Sequence, residues 1–225
     1  MSKLKIYYIN PSWRATLEQA GLLCDKSILH WDRGRRIVHK HWADVFRADI
    51  DGLGTVYVKR YFPQRNRLLG AFRNRQALRE YRNSATMARL GIAQPEPVLA
   101  AAVCNRLGLI KCGIYMMREV EYAESLDKIL ERMRKTPDNA LLDVIVDELI
   151  RVLARLHGGH FCHWDFKPRN LLVVRQAGGV TIVPIDSRSG KRMCSLTRRA
   201  YIKRDHQFLL EEPLLRPYME RRLRP

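Results

Sequence analysis

The stretch that most constrains this chain runs from His157 to Val174 and reads HGGHFCHWDFKPRNLLVV. It sets a carboxylate at Asp165, a lysine two residues on at Lys167, and an amide five residues after the carboxylate at Asn170. Both flanks are apolar. Upstream, Leu141, Leu142, Ile145, Val146, Leu149, Ile150, Leu153 and Leu156 recur at helical spacing, which predicts a long buried helix over Ala140–His157 stopped by Gly158 and Gly159. Downstream, Leu171–Val174 and Val180–Ile185 read as two short strands joined at Gly178-Gly179, and they deliver Asp186 at the end of an apolar run. A polar loop held between a buried helix and a hairpin has little freedom of position, so its side chains are candidates for chemistry.

The first half of the chain has a different rhythm. Ile28 to Tyr61 is rich in β-branched and aromatic residues, and it reads as an antiparallel meander. The three runs are Arg36–His41, Val45–Ile50 and Thr55–Tyr61, with a turn at Asp51-Gly52-Leu53-Gly54. From Leu68 to Leu90 the period becomes helical, through Leu69, Phe72, Ala77, Tyr81, Ala85 and Ala88, and Gly91 is a natural stop. After Pro95 and Pro97 come two more strand-like runs, Val98–Cys104 and Gly108–Met117, then a helix that begins after Ser125. The residues beyond Asp186 read as one or two basic helices. This order predicts an α+β chain: a small, antiparallel, β-rich lobe with one helix over residues 1–118, and a mainly helical lobe over 119–225, together forming one domain.

Charge narrows the partners. The chain of 225 residues holds 41 Lys+Arg against 23 Asp+Glu, a net charge of +18, so it repels itself unless something anionic is near. Nucleic acid, anionic lipid and a phosphorylated substrate all qualify. No helix-turn-helix, zinc-finger or aromatic-basic recognition pattern is visible, which sets nucleic acid behind the others. His157, His160, Cys162 and His163 crowd together, but H-x-x-H-x-C-H matches no common zinc spacing, so His163 is expected to brace the loop through backbone hydrogen bonds and His157 to cap the long helix. Five cysteines without a C-x-x-C pair point to reduced thiols and a cytosolic setting. The start, MSKLKIYYINPSW, lacks the apolar core of a signal peptide, and no run approaches the ~18 residues of a membrane span, so membrane contact is expected at the surface alone.

These residue types in this order fit phosphoryl transfer. That reaction is catalysed by positioning and charge neutralisation, and it needs a cation for the phosphates, oxygen ligands for Mg²⁺ and a carboxylate near the attacking hydroxyl. Lys59, in the strand run VYVKRY, is the cation. Glu80 is the sole acid between Asp51 and Glu96; it pairs either with Arg79 or Arg82 at the surface or with Lys59, and its place on the following helix favours Lys59. Asp165 is the base or orienter of the substrate hydroxyl, Lys167 neutralises the transferring group, and Asn170 and Asp186 are the metal ligands.

On VYVKRY around Lys59, Glu80, HWDFKPRNLLV from His163 and PIDSRSGK around Asp186, the chain resembles the protein-kinase-like fold, and within it the lipopolysaccharide core kinase (Kdo/WaaP, InaA-like) family. The resemblance spans about Ile37 to Asp186. It implies a compact kinase with a reduced C-lobe that uses ATP and Mg²⁺ to phosphorylate a heptose or Kdo hydroxyl of the lipopolysaccharide inner core. Met117, at the start of the connector between lobes, would join Lys59 and Glu80 at the nucleotide. An anionic core substrate assembled at the cytoplasmic face of the inner membrane would account for the excess of cations. The chain departs from protein kinases in four places: Trp164 replaces the arginine of His-Arg-Asp, Ser187-Arg188 replaces Phe-Gly, no G-x-G-x-x-G lies between the first strands, and no Ala-Pro-Glu follows Asp186. A kinase of another small molecule or protein, and a pseudokinase or basic binding module without turnover, are the alternatives.

Overall fold

Strand-forming runs rich in β-branched and aromatic residues dominate the early sequence, and they pair into one sheet. The structure, a computed structural model, describes residues 2–63 and 75–223. It divides into two units, Met1–Arg82 with Pro95–Glu119, and Asn83–Gln94 with Val120–Pro225.

In the first unit the described strands are β1 (Lys3–Ile9), β2 (Arg35–Lys40), β3 (Ala43–Ile50), β4 (Gly54–Tyr61), β5 (Pro97–Cys104) and β6 (Ile110–Arg118). They form an antiparallel sheet in the order β1-β5-β6-β4-β3-β2. The expected meander is β2-β3-β4. Gly34 leads into it at φ +74°, and a Cβ there would fall 2.3 Å from the carbonyl oxygen of Arg47, so only glycine fits. One sheet face carries a core that includes Leu17, Ile28, Val56, Val58, Leu99, Ile114 and Met116. Ile28 is not in a strand, contrary to the sequence reading: it lies in the short helix α2 (Asp25–Leu29), which follows α1 (Arg14–Gln19). Cys24 caps α2 by accepting from the Ser27 N–H, and this local bond outweighs the β-propensity of an isolated isoleucine. β1 was absent from the sequence reading, although its pairing along β5 gives the sheet an edge strand.

The helix expected over Leu68–Leu90 is α3 (Gln76–Arg89). Leu69 and Phe72 lie outside the described residues. Gly91, at φ +72°, ends α3 as expected, with the Ile92 N–H donating to Met87 O at 3.1 Å and the Gly91 N–H to Ala88 O at 3.0 Å.

The second unit is built around α5 (Asn139–Gly158), the helix predicted from the leucine spacing. Asp138 caps it by accepting from the Leu141 N–H at 3.0 Å, and Ile145, Val146, Leu149, Leu153 and Leu156 are buried along it. Each such side chain stabilises the fold by about 1.5–3 kcal/mol relative to exposure. Against α5 pack α4 (Leu126–Lys135) and a sheet of β7 (Ala123–Ser125), β9 (Leu171–Gln176) and β10 (Gly179–Pro184), in the order β10-β9-β7. A pair of two-residue strands, β8 (Phe161–Cys162) and β11 (Lys191–Arg192), flanks the loop. The basic tail forms α6 (Arg198–Leu210) and α7 (Arg216–Leu223), and Leu209, Met219 and, between the helices, Leu215 enter the same core.

Candidate active site

Strand alternation decides where Lys59 points. On β4, Arg60 faces the core side, where its guanidinium donates to Asp44 Oδ2 at 2.9 Å. Lys59 and Tyr61, two residues apart, therefore share the opposite face. Both reach Glu80 of α3: Lys59 Nζ lies 2.6 Å from Glu80 Oε1, and the Tyr61 hydroxyl donates to Glu80 Oε2. The side chains of Lys59 and Glu80 are 9% and 2% exposed, so the pair is desolvated and its Coulomb attraction is little screened. Met117, on β6, belongs to the small core on this face with Ala43, Tyr61, Ala77, Ala100 and Tyr115. Tyr61 escaped the sequence reading, though its two-residue spacing from Lys59 on a strand was the available signal.

In the second unit, β8 enters and β9 leaves the catalytic-type loop. Lys167 Nζ sits 2.6 Å from Asp165 Oδ1, and the Asn170 amide nitrogen donates to Asp165 Oδ2 at 3.0 Å and to its backbone oxygen at 2.9 Å. Asn170 is thereby oriented with its nitrogen spent on Asp165 and its Oδ1 left to accept a cation. The β9-β10 hairpin returns the chain beside this loop, where the Ile185 N–H donates to Asn170 O at 2.8 Å. Asp186 follows at φ 57°, in the left-handed region, with Arg188 Nε 3.7 Å from its Oδ1. An aspartate tolerates this conformation better than most residues do. One carboxylate and one amide oxygen are hard donors of the kind Mg²⁺ takes when substrate phosphates complete its shell, so Asn170 and Asp186 fit that ion chemically.

The residue that fixes the loop is one sequence reasoning missed. Asp205, on α6, is fully buried and accepts from the His163 N–H at 3.0 Å, the Trp164 N–H at 2.8 Å and His157 Nε2 at 3.2 Å. His157 therefore pairs with Asp205 and does not cap α5, because burial makes its ring nitrogen seek a charged acceptor over a helix carbonyl. Trp164 needs this anchor: its φ of 71° is costly for a large side chain, and such strain persists only where contacts over-determine it. Asp205 was detectable as the sole acid in the basic run Arg198–Leu210. Replacing it by alanine leaves the buried His163 N–H and His157 ring and the half-buried Trp164 N–H without their acceptor, an expected loss of about 3–5 kcal/mol. Asp205→Asn keeps one acceptor oxygen and is expected to cost roughly half as much. Urea unfolding of both variants checks the order.

His163 braces the loop as expected, donating from Nε2 to Ile185 O at 3.1 Å. Complete burial, opposed by the nearby Asp205 and Asp186 carboxylates, drives its proton affinity below the usual imidazole value. Nδ1 is buried without a hydrogen-bond partner among the described residues, so no acceptor there stabilises a second ring proton. Cys162 gives its thiol to Tyr201 O at 3.3 Å, and burial raises its pKa. His157, Cys162 and His163 of the crowded segment are thus each engaged by protein partners.

The model of the lipopolysaccharide kinase (Kdo/WaaP) family matches residues 34–212. WaaP in complex with acyl carrier protein matches the fold with a TM-score of 0.65 at 16% identity, over 99% of this chain and 90% of that one. The BubR1 kinase domain matches with a TM-score of 0.52 at 13% identity, over 72% of this chain and 47% of that one. No curated protein matches the chain by sequence. The fold is α+β and protein-kinase-like.

Proposed function

We infer that this chain, which belongs to the lipopolysaccharide kinase (Kdo/WaaP) family and so is a phosphotransferase acting on a sugar hydroxyl, uses Mg²⁺·ATP to phosphorylate a heptose or Kdo of the inner core. The observation that carries this reading is the Asp165-Lys167-Asn170 cluster, three side chains drawn together by one short loop. Asp165 orients the acceptor hydroxyl and takes its proton as the oxygen attacks. Lys167 offsets the negative charge that grows beside that carboxylate. Lys59, held by a Glu80 carboxylate that Tyr61 also grips, binds the nucleotide phosphates, and Met117 lines the nucleotide's seat. Asn170 and Asp186 would hold Mg²⁺, which when bound neutralises the phosphates around the transferred group. The first unit serves as the N-lobe and the second as the C-lobe.

The charge of +18 suits a cytoplasmic enzyme peripheral to the inner membrane, where each Lys or Arg near an anionic surface contributes about 1 kcal/mol. Among the described residues no helix is long and apolar enough to cross a membrane.

Thermal unfolding with Mg²⁺·ATP tests nucleotide use separately from transfer. At about 100 Kd the ligand is expected to stabilise the protein by about 2.7 kcal/mol. Chelation of Mg²⁺, or Asp186→Asn, should remove most of that gain. A protein indifferent to Mg²⁺·ATP but stabilised by RNA or DNA in a salt-sensitive way would contradict the kinase reading.

A further inference from the structure

Outward from Asp165 and Lys167 lie two further cations, Lys191 and Arg204, that the transfer step does not use. Lys191 is held by the pairing of β11 with β8, where it stands opposite Cys162, and its Nζ rests 3.5 Å from the centroid of Trp164. Arg204 of α6 lies over Phe208, with its Cζ 4.3 Å from the ring centroid, and 5.9 Å from the Trp164 centroid. Lys167 reaches the same Phe208 ring at 4.6 Å while it pairs with Asp165. The cations and rings thus run continuously from the carboxylate outward through Lys167, Phe208, Arg204, Trp164 and Lys191.

What sets Lys191 and Arg204 apart is how they are held. A carboxylate partner would fix a cation and cancel its charge together. An aromatic face fixes the cation and leaves its charge in place. Among the described residues neither Lys191 nor Arg204 forms an ion pair. The one polar side-chain contact of Arg204 is a long one, Nη1 to Gln207 Oε1 at 3.4 Å, and its buried Nε has no hydrogen-bond partner. The neighbouring Asp205 offers Arg204 nothing, since its oxygens are turned to His157, His163 and Trp164. A buried donor without an acceptor, and a second uncompensated cation over the same Trp164 ring, mark a site short of an anion.

We propose that Lys191 and Arg204, seated on Trp164 and Phe208, form an acceptor-side anion site that docks a carboxylate or phosphate of the sugar acceptor beside the hydroxyl that Asp165 orients. The proposal rests on the kinase reading above. It assigns to these two residues the choice of an acidic acceptor over a neutral one, and it makes them positioning residues outside the bond-making step. Trp164 is then more than a replacement for the arginine of His-Arg-Asp, because its ring is where Lys191 is seated.

The test compares wild type with Lys191→Gln, Arg204→Gln and the double variant, using inner-core oligosaccharide in four forms: intact, carboxyl-reduced, dephosphorylated, and stripped of both groups. Binding measured calorimetrically without nucleotide is expected to weaken at least about tenfold for the intact core in the double variant, while the fully stripped core binds wild type and variant alike. In turnover the loss is expected in KM for the acceptor and not in kcat. Whichever single modification abolishes the difference between wild type and variant names the anion, carboxylate or phosphate. Stabilisation by Mg²⁺·ATP, measured on each variant, confirms the fold, and the exposed Lys191 gives a variant that does not disturb the core. Variants that bind intact core as wild type does, or that lose intact and stripped cores equally, overturn the proposal. Wild type that binds cores with this discrimination yet never phosphorylates them would leave the site standing and remove the kinase reading. Wild type that phosphorylates cores while the variants bind them unchanged would do the reverse.

Discussion

Lys59→Met is expected to lower the unfolding free energy by about 3–5 kcal/mol and to abolish stabilisation by Mg²⁺·ATP. The reason lies in what remains. Glu80 is 2% exposed, and the substitution takes away the ammonium 2.6 Å from its Oε1 while the carboxylate stays in a site it entered as half of an ion pair. Methionine fills similar volume, so the loss is electrostatic and not a cavity effect. A second substitution separates structure from function: Lys59→Met combined with Glu80→Gln removes both charges and should recover most of the stability, yet still fail to respond to Mg²⁺·ATP. Guanidinium unfolding with and without nucleotide reads both quantities. A single variant as stable as wild type would mean that the pair is solvated in solution.

Asp165→Asn is expected to reduce kcat by about 10²–10⁴-fold with little change in KM for ATP. Asparagine keeps the shape and an oxygen for the Asn170 amide, so the loop should hold its form. It cannot take a proton from the attacking hydroxyl, and it no longer balances Lys167, which sits 2.6 Å from Asp165 Oδ1. A coupled assay of nucleotide consumption with acceptor present measures the fall. Equal rates in the two proteins would take Asp165 out of the mechanism.

Much of this arrangement was legible because it depends on short-range rules. The long helix follows from the leucine spacing, the meander from alternation, and the Lys59-Glu80 contact from the isolation of one acid among arginines. The Asp165-Lys167-Asn170 cluster needs only five residues of chain to close. What stayed hidden depends on distant partners. Asp205 acts on His163 and Trp164 across some forty residues of sequence, and although it is the sole acid of its helix, no local pattern says which distant groups it will meet. His157 was misassigned for the same reason, since its partner is that same aspartate. Ile28 failed at the other extreme, where a five-residue helix is too short for periodicity to speak and a single cap decides, while the seven residues of β1 show no clean alternation of burial and depend on β5 for their pairing.

The central claim is that Asp165 drives transfer of a phosphate from Mg²⁺·ATP to a sugar of the lipopolysaccharide inner core. Mass spectrometry of inner-core oligosaccharide after incubation with Mg²⁺·ATP tests it most directly, with wild type and Asp165→Asn run side by side. The account predicts a gain of one phosphate on a heptose or Kdo with wild type and no gain in the same time with Asp165→Asn. An unphosphorylated core with both proteins, or the same gain with both, would contradict it.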